Sequence, residues 1–462
     1  MKVFLTRPRL FSDDVKGNVM PPLSLAYIAT SLLKRGHEVR IIDQAAAGIS
    51  QDELKLLLGR EKPGVVGISS MTSEIFSAYS DAGLVKDMLP NCTVVLGGVH
   101  ASALPEQSLR ECRFVDAVIA GEGEQVFSEL VDDIQEGRPI SDVPGVYYRT
   151  KAGVGANKRP DLIRDIDSIG FPAYNLLDIK KYRYSQKGWT SLRFTTMMTS
   201  RGCPYACTFC AHSVFGRRVR FHSVEYVADC IEFLYRRLGI RGIGFMDDTF
   251  AINPKRVIRI CRAIKMRGLK IIWYCICNVN TITFPLLKEM RSAGCVKISY
   301  GLESGDPEML AKVKKVITLK QAERVVAMTK KAGIETLAFF MIGFPGETRA
   351  SLARTKEFAK AVKPDFVSIA ILCPFPGSDM YEEHKKKLPK DWKRYQMTTV
   401  EELPIAQLGE LSVEELQQEL KGFYREFYLR PSYIASRIAK IRSIEDLRFY
   451  VNKAAVVSKL WR

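Results

Sequence analysis

Arg201-Gly202-Cys203-Pro204-Tyr205-Ala206-Cys207-Thr208-Phe209-Cys210 places three cysteines at C-x3-C-x2-C spacing, directly behind the apolar, β-branched run 194–199. A run of that kind reads as a strand, so the cysteines sit on the loop at its carboxyl end. Thiolates hold iron–sulfur clusters, and a four-iron cluster ordinarily takes four of them, while a structural zinc site also closes with four ligands. Three ligands leave one metal position free for a small molecule, much as a catalytic zinc keeps a place for water. The competing readings are three buried structural cysteines, or a zinc site completed by His212. Buried structural cysteines need neither this spacing nor a Gly-Cys-Pro turn in front of it.

Downstream of the cysteines, strand and helix patterns alternate. Strands are predicted at 194–199, 242–246, 271–276, 296–300, 336–342 and 366–372, with helices at 224–238, 255–266, 284–293, 320–332 and 348–362. Six such units predict a partial (β/α)6 TIM-type barrel, open on one side for a large substrate, with chemistry at the strand C-termini. Each predicted strand end carries polar or turn residues: Asp247-Asp248, Asn278, Gly301-Leu302-Glu303-Ser304-Gly305, Gly343-Phe344-Pro345-Gly346-Glu347 and Cys373-Pro374-Phe375-Pro376-Gly377. Any one of these could simply end a strand. In a barrel they converge on the mouth that also holds the cysteines.

Upstream, residues 1–135 alternate short apolar runs with helical stretches, the pattern of a doubly wound parallel α/β sheet. Val3-Phe4-Leu5 opens it, a helix at 24–35 ends at Gly36, and strands follow at 38–43, 65–69, 93–96 and 117–119. Such sheets bind ligands at the carboxyl ends of their strands. There this chain collects Ser69-Ser70-Met71-Thr72, Gly97-Gly98-Val99-His100 and Gly121-Glu122-Gly123-Glu124. Residues 136–190 read as a connector with a small hairpin at 146–148, and 166–182 as a wrap between domains. The barrel is expected over 191–376 and a helical C-terminal region over 377–462.

The totals are consistent with two or three domains: 462 residues, 47% of them hydrophobic. No apolar run approaches the ~18 residues of a membrane span, and Met1-Lys2-Val3-Phe4-Leu5 runs straight into a strand pattern without a cleavable signal, so a cytoplasmic protein is expected. Eleven cysteines scattered through apolar segments argue for free thiols in a reducing compartment. The net charge of +18 is most visible late in the chain, where Phe423-Tyr424-Arg425-Glu426-Phe427-Tyr428-Leu429-Arg430-Pro431 leads into helical patterns at 434–441 and 447–460. A capping bundle with a solvated basic face is the plain reading; a peripheral membrane surface is the alternative. No nucleic-acid-binding module accompanies the charge, and no nucleic-acid partner is expected.

The cysteine spacing, with Phe209 before the third cysteine, resembles the signature of the radical S-adenosylmethionine (SAM) superfamily. Pro21-Pro22-Leu23, Gly97-Gly98-x-His100 and Gly121-Glu122-Gly123-Glu124 resemble the cobalamin-binding domain that precedes many such cores. The resemblance implies a [4Fe-4S] cluster on Cys203, Cys207 and Cys210, with SAM chelating the open iron and yielding a 5'-deoxyadenosyl radical on reductive cleavage. It places Asp247 and Asp248 where the family's Gly-Gly-Glu motif meets the SAM amino group, leaving open which aspartate does so. It assigns Glu303 to the methionyl or ribose groups, Ile342 and Phe344 to the adenine, and Phe209 to the same SAM site. Cobalamin contacts are implied at Pro22, Leu23, Ser69, Ser70, Met71, Thr72, Gly97, Gly98, Val99, His100, Gly121, Glu122, Gly123 and Glu124. Where the family often carries D-x-H-x-x-G, this chain reads Asp43-Gln44-Ala45-Ala46-Ala47-Gly48. Alanine cannot coordinate cobalt, so a bound cobalamin is expected to lack a histidine lower ligand, with His100 packing on or near the corrin. The activity implied is methylation of an unactivated carbon, or of phosphinate phosphorus, on a small or lipid-like substrate. Ring closure or carbon–carbon coupling on a tetrapyrrole, hopanoid or other lipid is the alternative. Either needs an electron donor such as flavodoxin or ferredoxin. A cobalamin carrier or sensor would need no cysteine triad, and a radical modifier of RNA would be the reading that uses the positive charge.

Overall fold

The computed structural model describes residues 1–9, 19–182, 184, 192–396, 405–441, 443–444, 446–448 and 450–451. The first sheet contains β1 (Lys2–Arg7), β2 (Glu38–Asp43), β3 (Val65–Ser69), β4 (Thr93–Gly97), β5 (Ala117–Ile119), β6 (Val146–Thr150) and β7 (Gly153–Ala156), ordered β2-β1-β3-β4-β5-β6-β7. The strands β1 to β5 are parallel. Val3-Phe4-Leu5 is apolar throughout because both faces are covered: Val3 and Leu5 meet helices Leu23–Lys34 and Glu124–Gln135, while Phe4 joins the core with helices Gln51–Glu61 and Ile75–Met88. The hairpin expected in the connector is present, but β6 pairs antiparallel with the three-residue β5. The first sheet therefore extends through Ala156, and the hairpin closes an edge that β5 would otherwise expose.

The second sheet is built from β8 (Phe194–Met197), β11 (Gly242–Phe245), β12 (Ile272–Cys277), β13 (Cys295–Glu303), β14 (Glu335–Ile342) and β15 (Phe366–Ile371), all parallel and in the order β15-β14-β13-β12-β11-β8. Among the described residues β8 and β15 do not pair, which is the open arrangement expected of a partial barrel. The strand predicted at 194–199 stops at Met197, and a separate two-residue strand β9 (Ser200–Arg201) pairs antiparallel with β10 (Arg220–Phe221). The edge strand β15 is sealed by helix Val413–Tyr428. The Tyr428 hydroxyl donates to Val367 O and accepts from Val367 N, each at 3.0 Å, and the Tyr424 hydroxyl does the same at Ile369.

The region 377–462 serves both halves of the molecule. Trp392, Tyr395 and Ile405 complete the core of the first sheet, whereas Leu416, Leu420, Phe423 and Phe427 complete that of the second. In its basic part, Arg437 and Lys440 are paired with the buried Asp365, and Arg430 donates to the carbonyls of Phe427 and Lys360. Most of the helical pattern at 447–460 lies outside the described residues. Among the described residues, no helix is long and apolar enough to cross a membrane.

Candidate active site between the two sheets

Gly202 opens the cysteine loop at φ +87°, and a Cβ there would stand 2.4 Å from Arg218 O, so only glycine fits. Thr208 N donates to Val313 O at 3.1 Å and Met380 N to Thr208 O at 2.9 Å, tying the loop to the segments after β13 and β15. Cys207 is buried, Cys203 half-buried and Cys210 exposed, and all three are free thiols. The loop thus carries three soft donors near enough to feel one another's charge, two of them, Cys203 and Cys210, lining a cavity, and thiolates are the donors an iron–sulfur cluster bonds.

The adjacent aspartates face opposite ways. Asp247 is buried and accepts from Thr199 N at 3.1 Å, from Thr199 Oγ1 at 2.8 Å and from the Ser200 hydroxyl, with the buried Arg256 beyond them. Its carboxylate is therefore committed to anchoring the link between β8 and β9. Asp248 lines the cavity, near Gly202 N and His212.

Glu303 sits in the left-handed region at φ +64°, where the register between β13 and β14 shifts. An ordinary side chain reaches that region at a cost of about 1–2 kcal/mol. Its carboxylate pairs at 2.9 Å with the half-buried Lys315, whose charge is felt by Cys203 and Cys207. Nothing in the sequence pattern singled out Lys315; the signal that could have was its place just after the Glu303 loop.

Phe344 lies 6.0 Å from Phe209, in a cluster with Met341, Met309 and Leu372. Ile342 is on the other face of β14, in the core between sheet and helices, and so belongs to a different cluster from Phe344. Strand alternation explains it: residue 341, one position earlier, faces Phe209.

One cavity of about 510 Å³ runs from Cys203, Cys210 and Asp248 to the first sheet, with Cys207, Phe209, Glu303 and Phe344 outside its lining. Pro22, Leu23, Ser69, Ser70, Met71, Gly97, Gly98 and Val99 line it, together with Gly121, Glu122, Gly123 and Glu124; opposite them stand Cys203, Cys210, Met246 and Asp248. Gly98 has φ +94°, and a Cβ would meet Ser70 O at 2.5 Å; the Ser70 hydroxyl is buried and without a partner. A closely approachable backbone and an orphaned donor form a cradle that fits a large cofactor such as cobalamin.

Two expected contacts fall elsewhere. Thr72 is buried outside the lining, at the start of the 3-10 turn Thr72–Glu74. His100 is fully buried and edge-on to Trp392 at 4.9 Å, with neither ring nitrogen partnered. It is a core residue rather than a neighbour of the cavity, because Trp392 arrives from the far end of the chain to cover it. Residues 43–48 do not line the cavity either; Asp43 accepts from Arg7 Nε and the Tyr182 hydroxyl, both at 3.0 Å, and caps helix Gln44–Ala47.

Glu122 and Glu124 border the cavity but are occupied. Arg201 donates to Glu122 at 2.7 Å and to Glu124 at 2.6 Å, and Arg220 donates to Glu122 at 2.6 Å. Their partners lie far away in sequence, and no local motif announced them.

Comparison with known proteins agrees with this layout. The family model described as the radical SAM superfamily matches residues 197–359, and that of the B12 binding domain matches residues 14–131. The chain is 37% identical to the uncharacterized methyltransferase PH0819 of Pyrococcus horikoshii, covering 95% of each. It is 30% identical to the anaerobic magnesium-protoporphyrin IX monomethyl ester cyclase of Rubrivivax gelatinosus, covering 94% of this chain and 78% of the relative. The structure of the radical SAM methyltransferase TsrM from Kitasatospora setae, with cobalamin and a [4Fe-4S] cluster bound, superposes with a TM-score of 0.73 at 18% identity, covering 93% of this chain and 89% of that one. With both domain signatures in one chain and their loops meeting at one cavity, the protein belongs to the cobalamin-dependent radical SAM enzymes.

Proposed function

We propose that this enzyme is a methyltransferase that moves a methyl group from SAM, by way of cobalamin, to an unactivated carbon or a phosphinate phosphorus of a small, largely apolar substrate. The observation that carries this reading is the cavity that joins the glycine-rich loops of the first sheet to Cys203, Cys210 and Asp248. Cys203, Cys207 and Cys210 would hold the cluster. Asp248 would accept from the SAM ammonium, and Lys315, oriented by Glu303, would meet its carboxylate; a zwitterionic head needs one group of each sign. Phe209, Met341 and Phe344 would cover the adenine, while Ser70 and the backbone around Gly98 would meet the corrin. When bound, the cluster and cobalamin supply the electron that cleaves SAM and the carrier for the methyl group. The residues between them, including Met20, Leu23, Ile28, Val214, Phe215 and Met246, keep that space mostly apolar and poor in water.

A low-potential donor such as flavodoxin or ferredoxin would deliver the electron. For the basic tail we favour the capping role over membrane contact, since Arg430, Arg437 and Lys440 are already engaged within the chain. The test is an anoxic incubation of cluster-reconstituted protein with cobalamin, SAM, reductant and lipid extract. Methylation predicts both 5'-deoxyadenosine and S-adenosylhomocysteine. The relationship to the Rubrivivax cyclase supports a second reading, ring closure, which predicts 5'-deoxyadenosine alone.

A further inference from the structure

Arg201 and Arg220 are direct cross-strand partners in the β9–β10 pair, and both are buried. Two guanidinium groups in that register repel each other in a medium of low dielectric unless a counter-charge lies between them. Glu122, from the first sheet, supplies it. One of its oxygens accepts from Arg201, and the other from Arg220 at 2.6 Å and from Ile163 N of the connector at 2.9 Å. Glu124 takes the second arm of Arg201. The Arg201 guanidinium lies between two rings, 5.0 Å from Tyr27 and 5.2 Å from Phe215. The network therefore joins the cobalamin-type sheet, the connector and the cysteine strand through groups shielded from water.

We infer that Glu122, Glu124, Arg201 and Arg220 form a positioning clamp that sets the cysteine loop against the cobalamin loops, and so fixes the separation of cluster and cobalt. Arg201 is two residues from Cys203, and the intervening Gly202 is wedged against Arg218 O, so no slack lies between clamp and ligand. Gly121, at φ +98°, delivers Glu122 from the end of β5. A buried charge network of this kind is poor evidence for stability but well suited to specifying register. These four residues act through the cysteine loop and need not touch substrate.

The inference rests on the cofactor assignment proposed above, so the test has one arm that does not. Glu124→Gln removes one ion pair and keeps the side-chain shape; Arg201→Lys is the second variant if the first does not fold. In hydrogen–deuterium exchange on the full chain, the amides of 201–208 are expected to lose protection at least tenfold, with those of β1 and β4 unchanged. In the reduced holoprotein, the spin-relaxation effect of the cluster on cob(II)alamin, read by pulsed electron paramagnetic resonance, is expected to change several-fold at wild-type iron and cobalt content. Uniform loss of protection along the chain, or wild-type values in both arms, would overturn the clamp. Loss of local protection with a wild-type relaxation effect would overturn its role in spacing the cofactors. Failure of wild-type protein to bind iron or cobalamin would count against the cofactor assignment and leave the exchange arm decisive.

Discussion

Replacing each of the neighbouring aspartates by asparagine separates anchoring from ligand binding. In Asp247→Asn, one carboxylate oxygen becomes an NH2 group facing donors, so at least one contact with Thr199 or Ser200 is lost, and the buried Arg256 loses its nearest counter-charge. Breaking a buried charged network of this kind costs about 3–5 kcal/mol. For a cooperative unit the size of the second domain, each kcal/mol lowers the melting temperature by about 2–4 °C, so a drop of roughly 6–12 °C is expected even at the lower bound. Asp248→Asn should melt within about 2 °C of wild type, because its carboxylate faces the cavity and surface-like substitutions cost little. It should instead weaken SAM binding by about 10- to 100-fold, the worth of one charge-assisted hydrogen bond of roughly 1.5–3 kcal/mol. Anoxic differential scanning fluorimetry and calorimetric titration with SAM read the two effects separately. Wild-type melting of Asp247→Asn together with lost SAM affinity would reverse the assignment and sink the argument from burial.

Alanine at Cys203, Cys207 or Cys210 should reduce reconstituted iron and bring 5'-deoxyadenosine release to background; continued release from any of the three variants would remove that cysteine from the ligand set. Gly98→Ala puts a Cβ 2.5 Å from Ser70 O in a left-handed backbone, so bound cobalamin should fall below a tenth of wild type by absorbance; full occupancy would show that the cradle is not the corrin site. His100 is held neutral by burial, its pKa pushed from 6.5 down to about 4, so the unfolded chain takes up the proton first as pH falls. The associated stability, complete above pH 6.5, is lost between pH 6.5 and 4 and amounts to about 3 kcal/mol. His100→Leu should therefore show a flatter acid limb in urea unfolding, while His222, also pushed down to about 4 by burial, keeps its own contribution in both proteins. Parallel curves would mean that His100 is not a neutral buried group.

What could be read along the chain was whatever repeats over short distances. Alternation of apolar runs with helical stretches, and the spacing of Cys203, Cys207 and Cys210, depend on a few neighbouring residues, and from them came both sheets, the six strands of the second and the loop of three cysteines. The same local logic placed Gly98 and Ser70 at strand ends, where they line the cavity. It could not choose between Asp247 and Asp248, because adjacent residues carry the same chemistry and differ only in which face they turn toward Thr199 or the cavity. Nor could it show that Glu122 is spoken for by arginines 79 and 98 residues away, or that Trp392 covers His100. A side chain's solvation and its counter-charge are set by segments brought together only when the chain folds, and these decide whether a carboxylate binds a ligand or another part of the protein.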